Sequence, residues 1–271
     1  MSAALSRLRA FLAAQRLALV EIAEAKGSTP REERAWMLVS PEAIFGTIGG
    51  GQLEFMAIDR ARAMIAAGGP AADELDVPLG PEIGQCCGGR VTVRIALADD
   101  GLREALQRRI EGEDAARPRV FIFGGGHVGQ ALAAALSLLP LAVTVVETRP
   151  DQLGDLPQGV AARLTAVPEE AVRAAPAGAA FLVLTHDHAL DFLIVAEALK
   201  RGDAAYVGMI GSKTKRATFS SWYLREAGGD AAALARLVCP IGGSQVKDKR
   251  PAVIAAMAAA EVMRALSSPG G

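Results

Sequence analysis

The sequence predicts an α/β protein, with a C-terminal Rossmann-type doubly wound parallel sheet and a smaller N-terminal α+β domain. Two observations predict this fold class. The segments Val120–Phe123 and Phe181–Thr185 are nearly free of polar residues, as strands are when a parallel sheet buries both of their faces. Strand, turn and helix patterns then alternate through the second half of the chain, which favours a parallel sheet covered by helices.

The first part of the chain has a mixed pattern of helices and strands. Arg90–Ala96 alternates polar and apolar residues, as a half-buried strand does. Gly68 is expected to end the second helix. The predicted elements are helices Leu5–Gln15 and Leu53–Ala67, and strands Leu17–Ala25, Ala35–Ser40 and parts of 71–97. A polar stretch from Asp99 to Pro118 predicts one helix and a linker, which places the boundary between domains 1–115 and 116–271.

The second part repeats a strand–helix unit. A glycine turn at 124–129 follows the first strand, and Pro251 suits the first position of the last helix. The other predicted elements are helix Gln130–Leu139, strand Val143–Glu147, helix Asp191–Lys200, strand Tyr206–Ile210 and helix Lys213–Glu226.

Composition excludes several classes of protein. Hydrophobic residues make up 51% of the 271 residues, which is enough for a sizeable core. Aromatic residues are only 4%, which argues against a nucleic-acid binder that stacks bases on aromatic side chains. The formal net charge of -1 gives no general affinity for polyanions. Any anion-binding residues must therefore act locally.

The sequence also indicates a compartment. Residues 1–16 lack the charged region, apolar run and cleavage site of a signal peptide, and no apolar stretch of about 20 residues predicts a membrane span. Three cysteines do not make a disulfide framework. We therefore expect a cytoplasmic protein.

The glycine turn is the first candidate site. Gly124, Gly126 and Gly129 fit the pattern G-x-G-x-x-G between a strand and a helix, with Glu147 at the end of the next strand, about 20 residues on. Such a turn brings backbone N–H groups close to a phosphate, and the acidic residue accepts hydrogen bonds from a ribose or similar diol. Alternatively, the glycines serve only tight packing. Arg149 could pair with a 2′-phosphate or be an ordinary surface residue.

All three histidines fall where predicted parallel strands end. His127 lies in the glycine turn, and His186, Asp187 and His188 follow the strand Phe181–Thr185, with Asp191 one turn further on. Doubly wound folds bind ligands at this edge of the sheet. His-x-His with a carboxylate could bind a divalent metal. It could equally contact a polar ligand, or Asp187 could simply cap the following helix.

A basic turn follows the strand Tyr206–Ile210. Gly211 and Ser212 suit the start of a helix, with Ser212 as N-cap. Lys213, Lys215 and Arg216 then place positive charge in the first turn, where the helix dipole disfavours it. An anionic ligand would relieve this conflict, although a solvated basic surface is the alternative.

Two turns in the N-terminal domain are further candidates. Gly49, Gly50 and Gly51 precede a helix and could bind an anion through backbone N–H groups. Gln85, Cys86 and Cys87 lie in a glycine-rich turn, where thiols could reach a soft metal or a sulfur donor. Alternatively, the cysteines are small turn residues. Adjacent cysteines without a second pair exclude a C-x-x-C zinc site.

Taken together, these motifs resemble the XdhC/CoxI family, the accessory proteins of xanthine dehydrogenase and related molybdenum hydroxylases. The motifs that carry the resemblance span nearly the whole chain in order, and they are Gly27–Arg31, Gly46–Glu54, Gly84–Gly89, Phe123–Gly129, Thr185–His188 and Tyr206–Lys213. One departure is visible. Many relatives have Pro-Ile-Gly-Leu-Asp-Ile-Gly near the C-terminus, whereas Pro240–Val246 reads Pro-Ile-Gly-Gly-Ser-Gln-Val and lacks the aspartate.

The resemblance implies a carrier rather than an enzyme. Such proteins bind the molybdenum cofactor, shelter it while a cysteine desulfurase partner installs its sulfido ligand, and deliver it to the apo-hydroxylase. They often self-associate, so we expect a homodimer that binds neither nucleic acid nor membrane. The glycine turns suit the molybdopterin phosphate, the histidines and carboxylates suit the pterin edge, and Cys86 or Cys87 could contact molybdenum.

Two other functions fit parts of the sequence. An NAD(P)-dependent oxidoreductase explains the glycine turn and Glu147, but leaves the paired cysteines without a role. An assembly scaffold without a small ligand would tolerate Gly126→Val. A nucleotide bound beside the cofactor also remains open.

Overall fold

The computed structural model describes residues 3–13, 16–68, 70–81 and 88–267. The chain divides between Gly112 and Glu113 into two compact units. The predicted fold class is confirmed, because one unit holds an antiparallel sheet with helices and the other a parallel sheet covered on both faces.

The first unit is built on a five-stranded sheet in the order β3-β2-β1-β5-β4, with antiparallel pairs throughout. Its strands are β1 (Ala18–Lys26), β2 (Trp36–Val39), β3 (Ile44–Gly46), β4 (Ala72–Pro78) and β5 (Arg90–Leu97). Its helices are α1 (Ala3–Leu12), α2 (Gly51–Ala67) and α3 (Asp100–Ala116).

Helices cover both faces of this sheet. Val20, Met37 and Val91 pack against Leu53 and Ile58 of α2. On the opposite face, Leu19 and Leu38 pack against α1 and α3 through Leu8, Leu106 and Ile110. Alternate residues of the strands therefore face different helices. Gly68 ends α2 in the left-handed conformation, as predicted.

The second unit is built on a six-stranded parallel sheet in the order β11-β10-β9-β6-β7-β8. Its strands are β6 (Arg119–Phe123), β7 (Ala142–Glu147), β8 (Ala161–Leu164), β9 (Ala180–Val183), β10 (Tyr206–Met209) and β11 (Leu237–Val238). The order reverses between β6 and β9, and open α/β sheets bind ligands at such a switch point.

Two helical layers cover the parallel sheet. The helices are α4 (His127–Ser137), α5 (Glu169–Arg173), α6 (His188–Lys200), α7 (Lys213–Arg225), α8 (Ala231–Ala235) and α9 (Pro251–Ser267). One layer joins α4 and α9 to Val120, Ile122 and Leu182. The other joins α5 to α8 with Phe123, Phe181 and Val183. Burial on both faces explains why these strands read as apolar runs.

Two helices of this unit begin three residues earlier than the sequence pattern predicts. Helix α4 begins at His127 because Gly126 takes the N-cap position, and α6 begins at His188 because the Asp187 side chain accepts a hydrogen bond from Ala189 N. Both histidines therefore lie in first helical turns. Within the described ranges, no helix is long and apolar enough to cross a membrane.

Candidate functional site

Three polar turns lie at the carboxyl edge of the parallel sheet, each following one of three neighbouring strands. The glycine turn follows β6, Leu184–Asp187 follows β9, and Ile210–Ser212 follows β10. Backbone hydrogen bonds join the ends of these strands, from Leu184 N to Phe123 O (2.9 Å) and from Ile210 N to Val183 O (2.9 Å). The predicted residues of these turns are thus brought together at the switch point of the sheet.

Three glycines of the first turn are required by packing. A Cβ at Gly124 would collide with the carbonyl oxygen of Leu184, and Gly124 also has a positive φ of 114°. A Cβ at Gly125 would collide with Gln152 O, and one at Gly129 with Gly124 O. The packing interpretation of these glycines is therefore correct for these three positions.

Gly126 differs from its neighbours. Its φ is -69°, which any residue adopts, and a Cβ built there would meet no atom within 4 Å. Folding therefore does not require glycine at this position. In dinucleotide-binding folds the second glycine of the motif lets the ligand phosphate approach the backbone. The open space above Gly126 is where such a group would lie.

The first turn of α4 supplies hydrogen-bond donors to this space. Gly126 O accepts the first helical bond, from Gln130 N (2.9 Å). The N–H groups of His127, Val128 and Gly129 have no acceptor within the described part of the chain. Together with the positive end of the helix dipole, such free donors favour an anion.

Glu147 lies at the end of β7, but its carboxylate turns toward the protein. It is only 4% exposed. Gly125 N donates to its Oε2 (2.8 Å), and Thr148 N (2.8 Å) and Arg149 N (3.1 Å) donate to its Oε1. Burial alone would raise the pKa of Glu147, yet these backbone donors and the Arg149 charge outweigh it and hold the pKa below its ordinary value. The carboxylate thus braces the glycine turn, and its expected contact with a ligand diol stays a prediction.

Asp191 does not face the ligand side of the turn that follows β9. It is fully buried, and its Oδ1 accepts hydrogen bonds from Thr185 N (2.9 Å) and Thr185 Oγ1 (2.7 Å). Its Oδ2 accepts a hydrogen bond from Lys215 Nζ. The idea that Asp191 adds a ligand to a metal at this turn is therefore wrong, because its oxygens are already bound.

The basic turn after β10 has the predicted helix cap, but one of its three cations has an acidic partner within the protein. Ser212 caps α7 by accepting a hydrogen bond from Lys215 N (3.2 Å). Lys215 pairs with Asp191, so the protein itself neutralises this cation, and Arg216 donates a hydrogen bond to Cys239 O (3.1 Å). The Lys213 side chain is exposed, with no ion pair to any residue that the structure describes. Lys213 is thus the lysine of this turn that can reach a ligand.

The histidines lie on the open side of the site. His127, His186 and His188 are all exposed. Asp187, between the last two, uses its Oδ1 to cap α6 (2.8 Å to Ala189 N), as the capping interpretation predicts. Across the described ranges, no group of three or more His, Cys, Asp or Glu is arranged to hold a metal ion. The imidazoles can instead act as hydrogen-bonding groups for a polar ligand.

The turn before α2 in the first unit already holds an internal anion. Glu54 Oε2 accepts hydrogen bonds from Thr47 Oγ1 (2.5 Å), Ile48 N (3.0 Å) and Gly50 N (3.1 Å). Gly49 N donates to Thr47 Oγ1 (3.1 Å). The N–H groups of Gly49 and Gly50 are therefore bound within the turn, and a ligand anion would have to displace Glu54 and Thr47 from them, so anion binding at these glycines stays a prediction. Gly51 forms the first residue of α2. Gln85, Cys86 and Cys87 lie outside the described residues.

Comparison with known proteins agrees with this architecture. Residues 120–262 match the family described as the XdhC Rossmann domain, and residues 11–76 match the XdhC and CoxI family. The chain belongs to the XdhC family. An Escherichia coli (strain K12) protein, the uncharacterized protein YqeB, is 27% identical over 94% of this chain and 44% of its own length. The chain thus spans less than half the length of that relative.

A crystal structure described as a xanthine dehydrogenase from Bacillus halodurans has the same fold. It superposes with a TM-score of 0.80 at 18% identity, over 100% of this chain and 97% of the other. At this identity the similarity shows the fold alone.

Two contacts in the parallel-sheet unit were not expected from the sequence. The first is the Asp191–Lys215 pair. The second is Glu261 of α9, which accepts hydrogen bonds from Tyr206 Oη (2.7 Å) and Gly242 N (2.9 Å). Burial, followed by the hydrogen bond to Glu261, raises the pKa of Tyr206. Glu261 thereby fixes the start of the divergent Pro240–Val246 segment. No sequence motif marks either contact, because each joins residues far apart along the chain.

Proposed function

We propose that this chain binds the molybdenum cofactor at the carboxyl edge of its parallel sheet, protects it during sulfuration, and delivers it to apo-xanthine dehydrogenase or a related molybdenum hydroxylase. The observation that carries the proposal is the open space above Gly126, next to the free N–H groups at the start of α4. Membership of the XdhC family supports the choice of the molybdenum cofactor as the ligand we propose for this space.

The donors at this edge suit a phosphorylated pterin. Its phosphate monoester would lie against the N–H groups of His127, Val128 and Gly129, where the helix dipole adds to hydrogen bonding. Exposed His186 and His188 offer neutral donors and acceptors to the polar edge of the pterin ring. Lys213 adds an exposed positive charge on the same edge. The cofactor is cargo in this proposal, and its dithiolene holds the molybdenum.

The partners follow from the same proposal. A carrier of this kind docks with the hydroxylase that receives the cofactor and with a cysteine desulfurase that supplies sulfur. A homodimer would present two such sites. A contact between Cys86 or Cys87 and molybdenum also belongs to the proposal, and replacing both cysteines with alanine tests it.

The deciding experiment is purification from cells that make molybdopterin, followed by elemental analysis of molybdenum and fluorescence of the oxidised pterin. We expect both in near-stoichiometric amounts. Gly126→Val should lose them while the protein stays folded, because a Cβ at this position meets no atom within 4 Å and the branched side chain would fill the proposed phosphate space. Gly202→Val is the matched control, since a Cβ there also meets nothing within 4 Å and Gly202 follows α6 at the other edge of the sheet.

The same measurement addresses the other two functions. An NAD(P)-dependent oxidoreductase would be purified without molybdenum and would oxidise or reduce a nicotinamide nucleotide. The strand order and the glycine turn favour an oxidoreductase and a cofactor carrier equally well, so turnover of the nucleotide is the observation that distinguishes the two functions. A scaffold without a ligand would retain assembly activity in Gly126→Val. Protein that stays free of cofactor even after anaerobic loading would refute the carrier proposal.

A further inference from the structure

The end of β7 differs from the usual diol-binding arrangement of dinucleotide folds. In that arrangement an acidic residue at the end of the second strand accepts hydrogen bonds from ribose hydroxyls. Here Glu147 occupies that position, yet its Oε1 accepts from Thr148 N, Arg149 N and Thr148 Oγ1 (3.2 Å), and its Oε2 accepts from Gly125 N. A diol would have to replace one of these buried donors.

Arg149 is the charged group that this end of β7 presents instead. Its side chain is 39% exposed, and its Nε lies 3.5 Å from Glu147 Oε1. That Nε is buried and has no hydrogen-bond partner among the described residues. Because Glu147 also binds Gly125 N, one carboxylate separates Arg149 from the glycine turn. Asp151 is the other nearby acid, and its carboxylate accepts a hydrogen bond from Gln152 Nε2 (2.7 Å).

We propose that Arg149 makes this subsite selective for a phosphate monoester, so that the ligand of the glycine turn carries such a group on the side of β7. The shared chemistry is a phosphate dianion on a ring or sugar, and it has two sources. In NADPH it is the 2′-phosphate, with the pyrophosphate left to the N–H groups of α4. In molybdopterin it is the single terminal phosphate, which Arg149 would then hold in place of the α4 N–H groups. The inference rests on the proposed function only in placing the ligand at the glycine turn.

Two physical reasons favour the phosphate over a diol. A guanidinium forms paired, charge-assisted hydrogen bonds with phosphate oxygens, which are stronger than bonds between neutral groups. The Glu147 charge does not oppose the phosphate strongly, because backbone donors and Arg149 surround that carboxylate. Because the side chain is 39% exposed while its Nε is buried, the bound phosphate would use the N–H groups of the two Nη atoms.

The nucleotide arm of the test titrates the full-length protein with NADPH and with NADH and measures fluorescence. We expect NADPH to bind at least about tenfold more tightly, a preference that added salt should weaken. Arg149→Gln should remove the preference, and Arg149→Lys should restore part of it. Arg173→Gln is the matched control, because Arg173 ends α5 and pairs with Glu197 in an exposed ion pair.

The pterin arm uses the oxidised pterin released from molybdenum cofactor, with and without removal of its phosphate by a phosphatase. A phosphate preference in this arm that Arg149→Gln removes identifies the pterin as the source, whereas a preference confined to the nucleotides identifies the 2′-phosphate. Equal binding of phosphorylated and unphosphorylated ligands in both arms, or no binding in either, overturns the inference. If the purified protein carries molybdenum but Arg149→Gln changes no phosphate preference, this inference alone is refuted. If the protein carries no molybdenum but shows a phosphate preference that depends on Arg149, only the carrier proposal is refuted.

Discussion

Lys215 and Asp191 form a buried ion pair that ties the turn after β9 to the first turn of α7. The side chain of Lys215 is 9% exposed and that of Asp191 fully buried. Asp191 also accepts both hydrogen bonds from Thr185, so one carboxylate fixes the segment that carries His186, Asp187 and His188. Two of the three turns at the candidate site therefore share a single support.

Breaking this pair should destabilise the protein strongly. Lys215→Met would leave the Asp191 carboxylate buried without its cation, which we expect to lower the free energy of unfolding by about 3–5 kcal/mol. Urea unfolding measures the change. Lys213→Met, two residues away and exposed, should change it by less than about 0.5 kcal/mol. Adding Asp191→Asn to Lys215→Met removes the unpaired charge but keeps an oxygen that can accept the Thr185 hydrogen bonds, so it should recover part of the loss. A double variant less stable than Lys215→Met would contradict a buried pair.

Glu147 should make the stability of the second unit depend on pH. Its pKa in the folded protein lies below the ordinary value of 4.5, so its stabilising effect is present above pH 4.5 and is lost as pH falls through the lower, folded pKa. Glu147→Gln should therefore cost about 1–3 kcal/mol near neutral pH, because buried backbone donors lose a charged acceptor. The deficit should shrink as the pH is lowered below 4.5.

Unfolding curves for wild type and Glu147→Gln across this pH range test the prediction. Glu226→Gln changes an exposed carboxyl at the end of α7 and serves as the control, with little effect expected at any pH. A Glu147→Gln deficit that stays constant through the acid range would show that ionised Glu147 does not brace the glycine turn.

The glycine turn of the first unit should depend on Glu54. Glu54→Ala removes the acceptor for Ile48 N and Gly50 N, and we expect a loss of about 1 kcal/mol together with faster hydrogen exchange at both amides. Glu42→Ala, at an exposed position before β3, should alter neither quantity. Unchanged exchange at Gly50 in Glu54→Ala would mean that another group holds the turn.

Sequence patterns located the interior strands of the parallel sheet because these strands are apolar throughout. They missed β8, an edge strand of four residues whose side chains are mostly exposed, and β11, which has two residues. Edge and very short strands lack the apolar run or the regular alternation that would mark them. The α5 and α8 helices, of five residues each, are too short to show a helical period.

The position of the site could be predicted from the sequence, but its hydrogen bonds and ion pairs could not. The glycine motif and the polar residues after β9 marked the correct edge of the sheet, since parallel strands end together. Lys215 and Asp191 are 24 positions apart, so no local pattern signals their contact. In the sequence, Glu54 looks like an ordinary acidic residue near a glycine turn, and Glu147 looks like the diol-binding acid of the motif. Only the three-dimensional structure shows that each accepts the N–H groups that the sequence assigned to a ligand.

Alanine substitutions at Gly126 and Gly129 should differ clearly in how much they destabilise the protein. Gly129→Ala would push Cβ into Gly124 O, where backbone on both sides leaves no room, and should cost about 1–3 kcal/mol or more. Gly126→Ala meets open space at an ordinary φ and should cost no more than about 1 kcal/mol, the usual effect of alanine at an N-cap. Thermal unfolding of the two variants beside Gly202→Ala measures the difference. Equal losses for Gly126→Ala and Gly129→Ala would mean that folding, and not a ligand, requires the second glycine, which would remove the main structural argument for a phosphate above Gly126.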